Sequence, residues 1–97
     1  MRRDLNVEQA MFYRAAELVE VGYCKDVVAR NADGYSVPCN DPSAVAWCMI
    51  GAVCKASLET GGRYPDDLGR WIDWNNHPNR TADEVAAKLR ELGDRSC

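Results

Sequence analysis

Apolar residues recur at helical spacing in the first quarter of the chain. They share one helical face at intervals of four and three residues: Met11, Ala15, Leu18. This spacing is typical of an amphipathic helix whose apolar stripe faces a core. Asn6, with Gln9 three residues later, matches a capping box, and Gly22 can take the left-handed conformation that ends many helices. The pattern therefore predicts a helix over 7–21.

The longest apolar stretch of the chain runs over 44–56, where Lys55 is the only charged residue. Asp41 followed by Pro42 is typical of a helix start, because aspartate can cap the first turn and proline needs no backbone partner there. We therefore predict a helix over 42–59. A helix that is apolar nearly all round is usually buried, so this one is expected at the centre of the core.

A short β-hairpin is predicted between these two helices. The segment 27–30 begins with β-branched residues, the Asn-Ala-Asp-Gly sequence at 31–34 is a strong turn signal, and 35–37 alternates in polarity. The hairpin would span 26–37 and would need support from the helices, since an isolated hairpin is only marginally stable in water.

Two further helices are predicted in the last third of the chain. Acidic residues follow the Tyr-Pro sequence at 64–65 and can begin a helix over 66–75. Thr81 with Glu84 makes a second capping box, which precedes an apolar stripe and predicts a helix over 82–92.

Together these elements predict an α+β fold that is mainly helical, with about four helices and one short hairpin in a single domain over 1–97. The ends, 1–5 and 94–97, are expected to fray. The predicted core consists of Met11, Leu18, Val45, Trp47, Met49, Ile50, Val53, Leu68, Trp71, Ile72, Val85 and Leu89.

Charge and hydropathy narrow the class of protein. The chain carries 12 basic and 15 acidic residues, for a net charge of -3, and its cations are scattered along the sequence. Binding to nucleic acid is disfavoured, because phosphates are contacted by clustered cations. No signal-peptide pattern is present, and no apolar run reaches the roughly 20 residues that cross a bilayer. The sequence therefore predicts a cytoplasmic protein without a membrane partner.

The five cysteines are expected to be reduced thiols, because their number is odd and no Cys-x-x-Cys sequence occurs. Cys24 and Cys39 flank the predicted turn almost symmetrically, so a disulfide between them is the alternative under oxidising conditions. No metal or other cofactor is expected. Cys48 and Cys54 would lie about 240° apart around one helix, so they cannot easily share an ion.

Three stretches form a distinctive combination: 29–34, 46–52 (Ala-Trp-Cys-Met-Ile-Gly-Ala) and 71–76 (Trp-Ile-Asp-Trp-Asn-Asn), the last leading into Arg80-Thr81. In combination they resemble a family of small uncharacterised bacterial and phage proteins, a domain of unknown function. The resemblance covers 12–92 and implies an intracellular protein without an established activity. This chain has Asn76 where members of that family more often have aspartate.

One enzyme hypothesis is available from the sequence. A reactive cysteine needs a pKa lowered by a histidine, a cation or a helix N-terminus. His77 is the only histidine, and it would act with Cys24 or Cys48. Because Cys48 is expected in the middle of an apolar helix, it is more simply a small buried hydrophobe. We therefore expect no catalytic residues and keep a Cys/His-dependent enzyme as the alternative.

Polar residues concentrate in the loop between the last two predicted helices. Loops on a rigid scaffold often carry recognition, although turn chemistry alone accounts for many such residues. Trp74 borders this loop, and an exposed tryptophan is a good interface anchor. Nearby aspartates add negative charge. The predicted binding residues are Trp74, Asn75, Asn76, His77, Asn79, Arg80, Asp66, Asp67 and Asp73.

The sequence thus favours a small, non-catalytic protein-binding module of bacterial or phage origin with a protein partner. Small size, acidic charge, the absence of a catalytic constellation and the phage-rich resemblance together favour an inhibitor of a host complex, such as a CRISPR effector. A structural homodimer is a further alternative. In it, a helical face of mostly small residues would pack against a second copy: Ala44, Cys48, Gly51, Ala52 and Lys55.

Overall fold

The computed structural model describes residues 7–95. The elements follow one another as α1 (Val7–Val21), β1 (Ala29–Asn31), β2 (Ala44–Trp47), α2 (Met49–Thr60), a 3-10 helix (Leu68–Trp71), α3 (Ile72–Asn76) and α4 (Ala82–Arg95). The predicted α+β, mainly helical class is confirmed. The predicted cap at Asn6, the ends at 1–5 and the final Cys97 lie outside the described residues.

Helix α1 forms the middle of the helical layer and packs against both α4 and α2. The prediction of this helix over 7–21 is confirmed. Its buried face consists of Met11, Phe12, Ala15, Ala16, Leu18 and Val19. Gly93 of α4 lies so close to α1 that an added Cβ would sit 3.0 Å from the Tyr13 ring. Helix α4 continues to Arg95, so Asp94 and Arg95 are helical and are not part of a frayed tail.

The predicted helix over 42–59 is wrong in its first third. Asp41 does not cap a helix: its side-chain oxygen accepts hydrogen bonds from the Ser43 backbone N–H (2.8 Å) and hydroxyl (2.6 Å). This local turn leads into β2, and α2 begins only at Met49. An aspartate followed by proline starts turns as readily as helices, and the tertiary surroundings decide between them.

Strand β2 forms because backbone partners are available on both of its sides. It pairs with β1 in antiparallel register, with Arg30 opposite Ala46. On its other side, the Trp47 N–H donates to the Gly22 carbonyl at 3.0 Å. Burial along the strand does not alternate: Val45 is exposed, whereas Trp47, two residues further along, is buried. A short apolar run does not by itself distinguish a strand from a buried helix, and here the strand forms.

The turn of the predicted hairpin is present, but its main strand pairing differs from the prediction. The Asn31 side chain accepts hydrogen bonds from two backbone N–H groups of the turn, and Gly34 has φ 86°. Only a single bridge, Arg30 to Ser36, joins the two arms. The main partner of β1 is β2, because β2 offers a longer run of backbone groups.

The predicted helix over 66–75 is shorter at its start and divided into two parts. It begins as the 3-10 helix at Leu68 and continues as α3 to Asn76. Most predicted core residues are buried in one cluster: Met11, Leu18, Trp47, Met49, Val53, Leu68, Val85 and Leu89. Ile50 and Trp71 are half-buried at its edge. Val45 and Ile72, predicted as core, are exposed.

Across residues 7–95, no helix combines the length and the apolar character that crossing a bilayer requires.

Candidate functional site

Asn75 is the one polar residue in the buried set of the described chain, with 1% of its surface exposed. Its side-chain oxygen accepts a hydrogen bond from the Met49 backbone N–H at 2.9 Å. Its side-chain amide donates to the Asn76 side-chain oxygen, also at 2.9 Å. The first backbone donor of α2, which lacks a partner within the helix, is therefore satisfied by α3. Asn75 was predicted to bind a partner, and the structure gives it this internal role.

A chain of hydrogen bonds continues from Asn75 to the segment before β1. The Asn76 oxygen also accepts from the Asp26 backbone N–H at 3.0 Å, and Asp26 has φ 72°, in the left-handed region. The Tyr23 hydroxyl donates to the Asn75 carbonyl. Burial raises the pKa of Tyr23 to about 12, so this hydroxyl stays a donor. The network fixes 23–26, α2 and α3 relative to one another.

A small open cavity of about 120 Å³, here called the apolar depression, lies between the segment 26–28, the start of α2 and α3. Its walls are largely aliphatic, and its lining residues are Val27, Val28, Ile50, Ile72, Cys48, Asn75, Asn76 and Asp26. Two of the aliphatic residues are exposed hydrophobics, since Val28 is 41% exposed and Ile72 is 47% exposed. An open apolar hollow flanked by exposed aliphatic groups is the kind of surface that proteins use for binding.

Of the two thiols considered as nucleophiles, Cys48 lines this depression and Cys24 does not. Cys48 is the residue before α2 rather than a mid-helix residue, and it is only 6% exposed. Its sulfur accepts a hydrogen bond from the Gly51 N–H at 3.3 Å, yet burial outweighs this and raises the pKa of Cys48. Burial likewise raises the pKa of Cys24 to about 11. Neither thiol is held as the thiolate that attacks substrates.

His77 is exposed and its ring takes part in a local turn. Its Nδ1 accepts a hydrogen bond from the Asn79 backbone N–H at 3.1 Å. The Cys24 thiol donates instead to the Val27 carbonyl at 3.6 Å. Within residues 7–95, no hydrogen bond joins His77 to a cysteine. The arrangement therefore gives neither thiol a directly bonded base.

The disulfide considered between Cys24 and Cys39 is not present. Cys24, Cys39, Cys48 and Cys54 are all free thiols. The neighbour of Cys39 is Cys54 of α2, and burial together with this neighbour raises the pKa of Cys39 to about 12. In the described part of the chain, no three His, Cys, Asp or Glu side chains are grouped as metal ligands would be.

Trp74 is half-buried beneath Arg80. The guanidinium carbon of Arg80 lies 3.9 Å from the centre of the Trp74 ring, and its Nε donates to the Trp74 carbonyl at 2.8 Å. The other side of Trp74 meets Trp71 edge-on, with ring centres 5.7 Å apart. A stacked cation and an edge-on ring hold the loop after α3 in one conformation. The Trp74 ring therefore packs against Arg80 and Trp71 and supports the loop from within.

The predicted acidic residues lie outside the depression. Asp66 pairs with Arg63 at 3.6 Å and Asp67 pairs with Arg70 at 3.3 Å, all with exposed side chains. Asp73 is exposed next to Ile72 on α3. Exposed ion pairs of this kind contribute at most about 1 kcal/mol to stability.

Sequence reasoning missed the residues that make the depression accessible. Val28 was placed in a hairpin and Ile72 in the core, because apolar residues at helical or strand spacing are usually buried. The sequence offers one weak indication that Ile72 is exposed. Trp71 and Trp74 flank it, and in so short a helix these two large side chains can cover the side that faces the core.

Comparisons of this chain with protein-family models, with curated proteins and with solved structures gave no match.

Proposed function

We propose that this chain is a small non-catalytic protein-binding module whose binding site is the apolar depression. The observation that carries the proposal is the pair Val28 and Ile72, two exposed aliphatic side chains on either side of an open apolar hollow. Each Å² of apolar surface removed from water contributes roughly 25 cal/mol, so covering this pair with a partner is favourable.

The polar groups at the base of the depression favour an apolar guest. Asn75 and Asn76 use their side chains to bond each other, Met49 and Asp26, and the Cys48 sulfur bonds Gly51. A hollow of about 120 Å³ is close to the roughly 150 Å³ of an apolar cavity that accepts benzene. The guest we infer is one aliphatic or aromatic side chain presented by a partner protein.

Rigidity supports the same proposal. The walls come from three segments that are already fixed by the Asn75 and Asn76 hydrogen bonds. A preformed site loses less conformational entropy on binding than a flexible one, so a small contact area suffices for useful affinity.

The enzyme alternative receives less support. Burial raises the pKa values of Cys24 and Cys48, and His77 bonds Asn79 rather than a sulfur. The homodimer alternative relied on a face of small residues, and at Gly51 that face lies against the backbone of Val28 within the same chain. A protein partner other than a second copy is therefore our proposal.

The proposal includes a kind of partner and a cellular location. The resemblance to small bacterial and phage proteins favours a host complex as the target, with this chain as an inhibitor, for example of a CRISPR effector. Four free thiols favour the reducing cytoplasm as its compartment.

The test compares capture of proteins from bacterial lysate by the tagged chain and by two matched variants. Ile72→Asp places a charge at the depression, whereas Leu58→Asp places one at an exposed aliphatic residue of α2 that does not line it (64% exposed). We expect one protein to be enriched by the wild-type chain and by Leu58→Asp, and to be lost about tenfold with Ile72→Asp. Equal capture by both variants, or no reproducible capture, would overturn the proposal.

A further inference from the structure

A second, more open cleft adjoins the apolar depression, and Asp26 lies on the boundary between the two. It has a volume of about 430 Å³ and is here called the cationic cleft. Its lining residues are Tyr23, Cys24, Lys25, Asp26, Arg30 and Arg80. Three cations therefore face one hollow in a chain whose net charge is -3.

Lys25 and Arg30 are unlike the other basic residues of the described chain. Every other lysine or arginine within residues 7–95 has a carboxylate partner at 3.6 Å or less. Lys25 and Arg30 have none there, and both line the cationic cleft. Cations that remain unpaired in an acidic protein, side by side in a hollow, mark a place where an external anion is favoured.

Backbone carbonyls hold these cations in position without neutralising them. The Lys25 ammonium donates to the carbonyls of His77 and Pro78 at 2.8 and 3.2 Å. The Arg30 guanidinium donates to the Gly34 carbonyl at 2.8 Å. Arg80 donates through Nε to the Trp74 carbonyl and pairs with Glu84 at 3.5 Å. Each cation keeps further N–H groups for a ligand, because lysine carries three and arginine five.

We propose that the cationic cleft binds a phosphate group, either as the free ion or as the end of a small phosphate monoester. The lining residues carry a formal net charge of about +2, and with Arg80 paired to Glu84 the two unpaired cations are Lys25 and Arg30; such a lining complements a phosphate dianion better than a single carboxylate. Arginine forks match phosphate oxygens, and lysine adds a point charge. The cleft is larger than a phosphate alone and falls within the range of about 300–1,000 Å³ for small-molecule sites.

The site is separate from the proposed protein-binding function, since only Asp26 belongs to both linings. The loop after α3, predicted to carry recognition, contributes backbone carbonyls to the cationic cleft as well as one side chain. His77 and Pro78 supply the carbonyls that orient Lys25, and Arg80 supplies a cation.

The test is a titration of the full chain followed by two-dimensional ¹H–¹⁵N NMR at constant ionic strength. Inorganic phosphate and phenyl phosphate are the two probes, and sodium chloride and acetate are the reference anions. We expect saturable shifts at Lys25, Arg30 and Arg80 with a Kd on the order of 1 mM for phosphate. Tighter binding of phenyl phosphate would assign the site to monoesters, and equal binding would assign it to the free ion.

Matched variants decide whether the three cations form the site. Arg30→Gln should weaken phosphate binding about tenfold, Arg30→Lys should weaken it less, and Lys25→Gln gives an independent second reading. Arg63→Gln is the control, because Arg63 is exposed, already paired with Asp66 and outside the cleft. The proposal fails if chloride reproduces the phosphate shifts, or if Arg63→Gln weakens binding as much as Arg30→Gln does.

Discussion

The side-chain oxygen of Asn75 and the backbone N–H of Met49 are joined by a buried hydrogen bond of 2.9 Å. This bond connects the end of α3 to the first residue of α2, although the two are separated by 26 positions in sequence. It fixes the distance between the two elements that supply Ile50 and Ile72 to the apolar depression. The geometry of the candidate binding site thus depends on an amide that no partner can reach.

Replacing Asn75 should therefore destabilise the fold. Asn75→Ala leaves the Met49 N–H and the Asn76 side chain without their partner, and an unsatisfied buried polar group costs about 1–3 kcal/mol. Urea denaturation should report a loss of this size in the free energy of unfolding. Asn79→Ala is the matched control, because the Asn79 side chain is exposed, and it should change stability by less than about 0.5 kcal/mol. Equal effects of the two variants would contradict the role given to Asn75.

Gly51 provides a second test of close packing. An added Cβ at this position would lie 1.9 Å from the Val28 carbonyl oxygen. The backbone at Val28, just before β1, would therefore have to move. We expect Gly51→Ala to destabilise the chain by about 1–3 kcal/mol despite the gain of about 1 kcal/mol in helix propensity. Gly69→Ala is the control, since nothing lies within 4 Å of its added Cβ. Thermal melting of both variants measures the difference, and a more stable Gly51→Ala would show that the contact is dispensable.

The helices with a clear polar and apolar face were predictable from sequence. The range of α1 agrees with the prediction from apolar spacing, and the start of α4 agrees because the Thr81 capping box and apolar spacing indicate the same boundary. The segment 42–47 was not predictable in the same way. Its apolar residues suit a buried helix and a strand equally, and the strand forms because Gly22 and β1 present backbone partners that are distant in sequence.

The candidate site was less predictable than the fold. Polarity pointed to the segment 75–80, but Asn75 and Asn76 are the last residues of α3 and bond inward. The exposed pair Val28 and Ile72 could not be separated from core residues by type, because exposure depends on which neighbours cover a side chain. Isolated cations were visible in the sequence, but the convergence of Lys25, Arg30 and Arg80 depends on the fold.

Ile72→Asp should change binding without changing the fold. Ile72 is 47% exposed on α3 and lies outside the buried core cluster, so its replacement removes less buried surface than a core substitution does. We expect its free energy of unfolding to stay within about 1 kcal/mol of the wild type, as for most surface substitutions. Val53→Ala, at a fully buried position, should lose about 1–3 kcal/mol and serves as the reference for a true core residue. Unfolding of Ile72→Asp in the same urea range as Val53→Ala would assign Ile72 to the core.

The buried thiols should react slowly with alkylating reagents. Burial raises the pKa of Cys24 to about 11, against about 8.5 for an exposed cysteine, so little thiolate is present at pH 8. Labelling with iodoacetamide, followed site by site with mass spectrometry, should be on the order of a hundredfold slower at Cys24 in the folded chain than in urea. Labelling of Cys24 or Cys48 at the unfolded rate would reopen the enzyme hypothesis.

The same thiols should make stability fall as the solution becomes alkaline. Burial raises the pKa of Cys24 to about 11, and burial with the Cys54 neighbour raises that of Cys39 to about 12. In the unfolded chain both pKa values return to about 8.5. The unfolded state therefore releases protons first, so the stabilisation from keeping the thiols protonated is complete below pH 8.5 and declines as pH rises towards the folded values. Urea unfolding between pH 8.5 and 10 should show the free energy of unfolding decreasing, with a shallower slope in Cys24→Ala, which lacks one of the two groups. A flat profile, or an identical slope in that variant, would mean that the Cys24 sulfur is as accessible to water in the native chain as in the unfolded one.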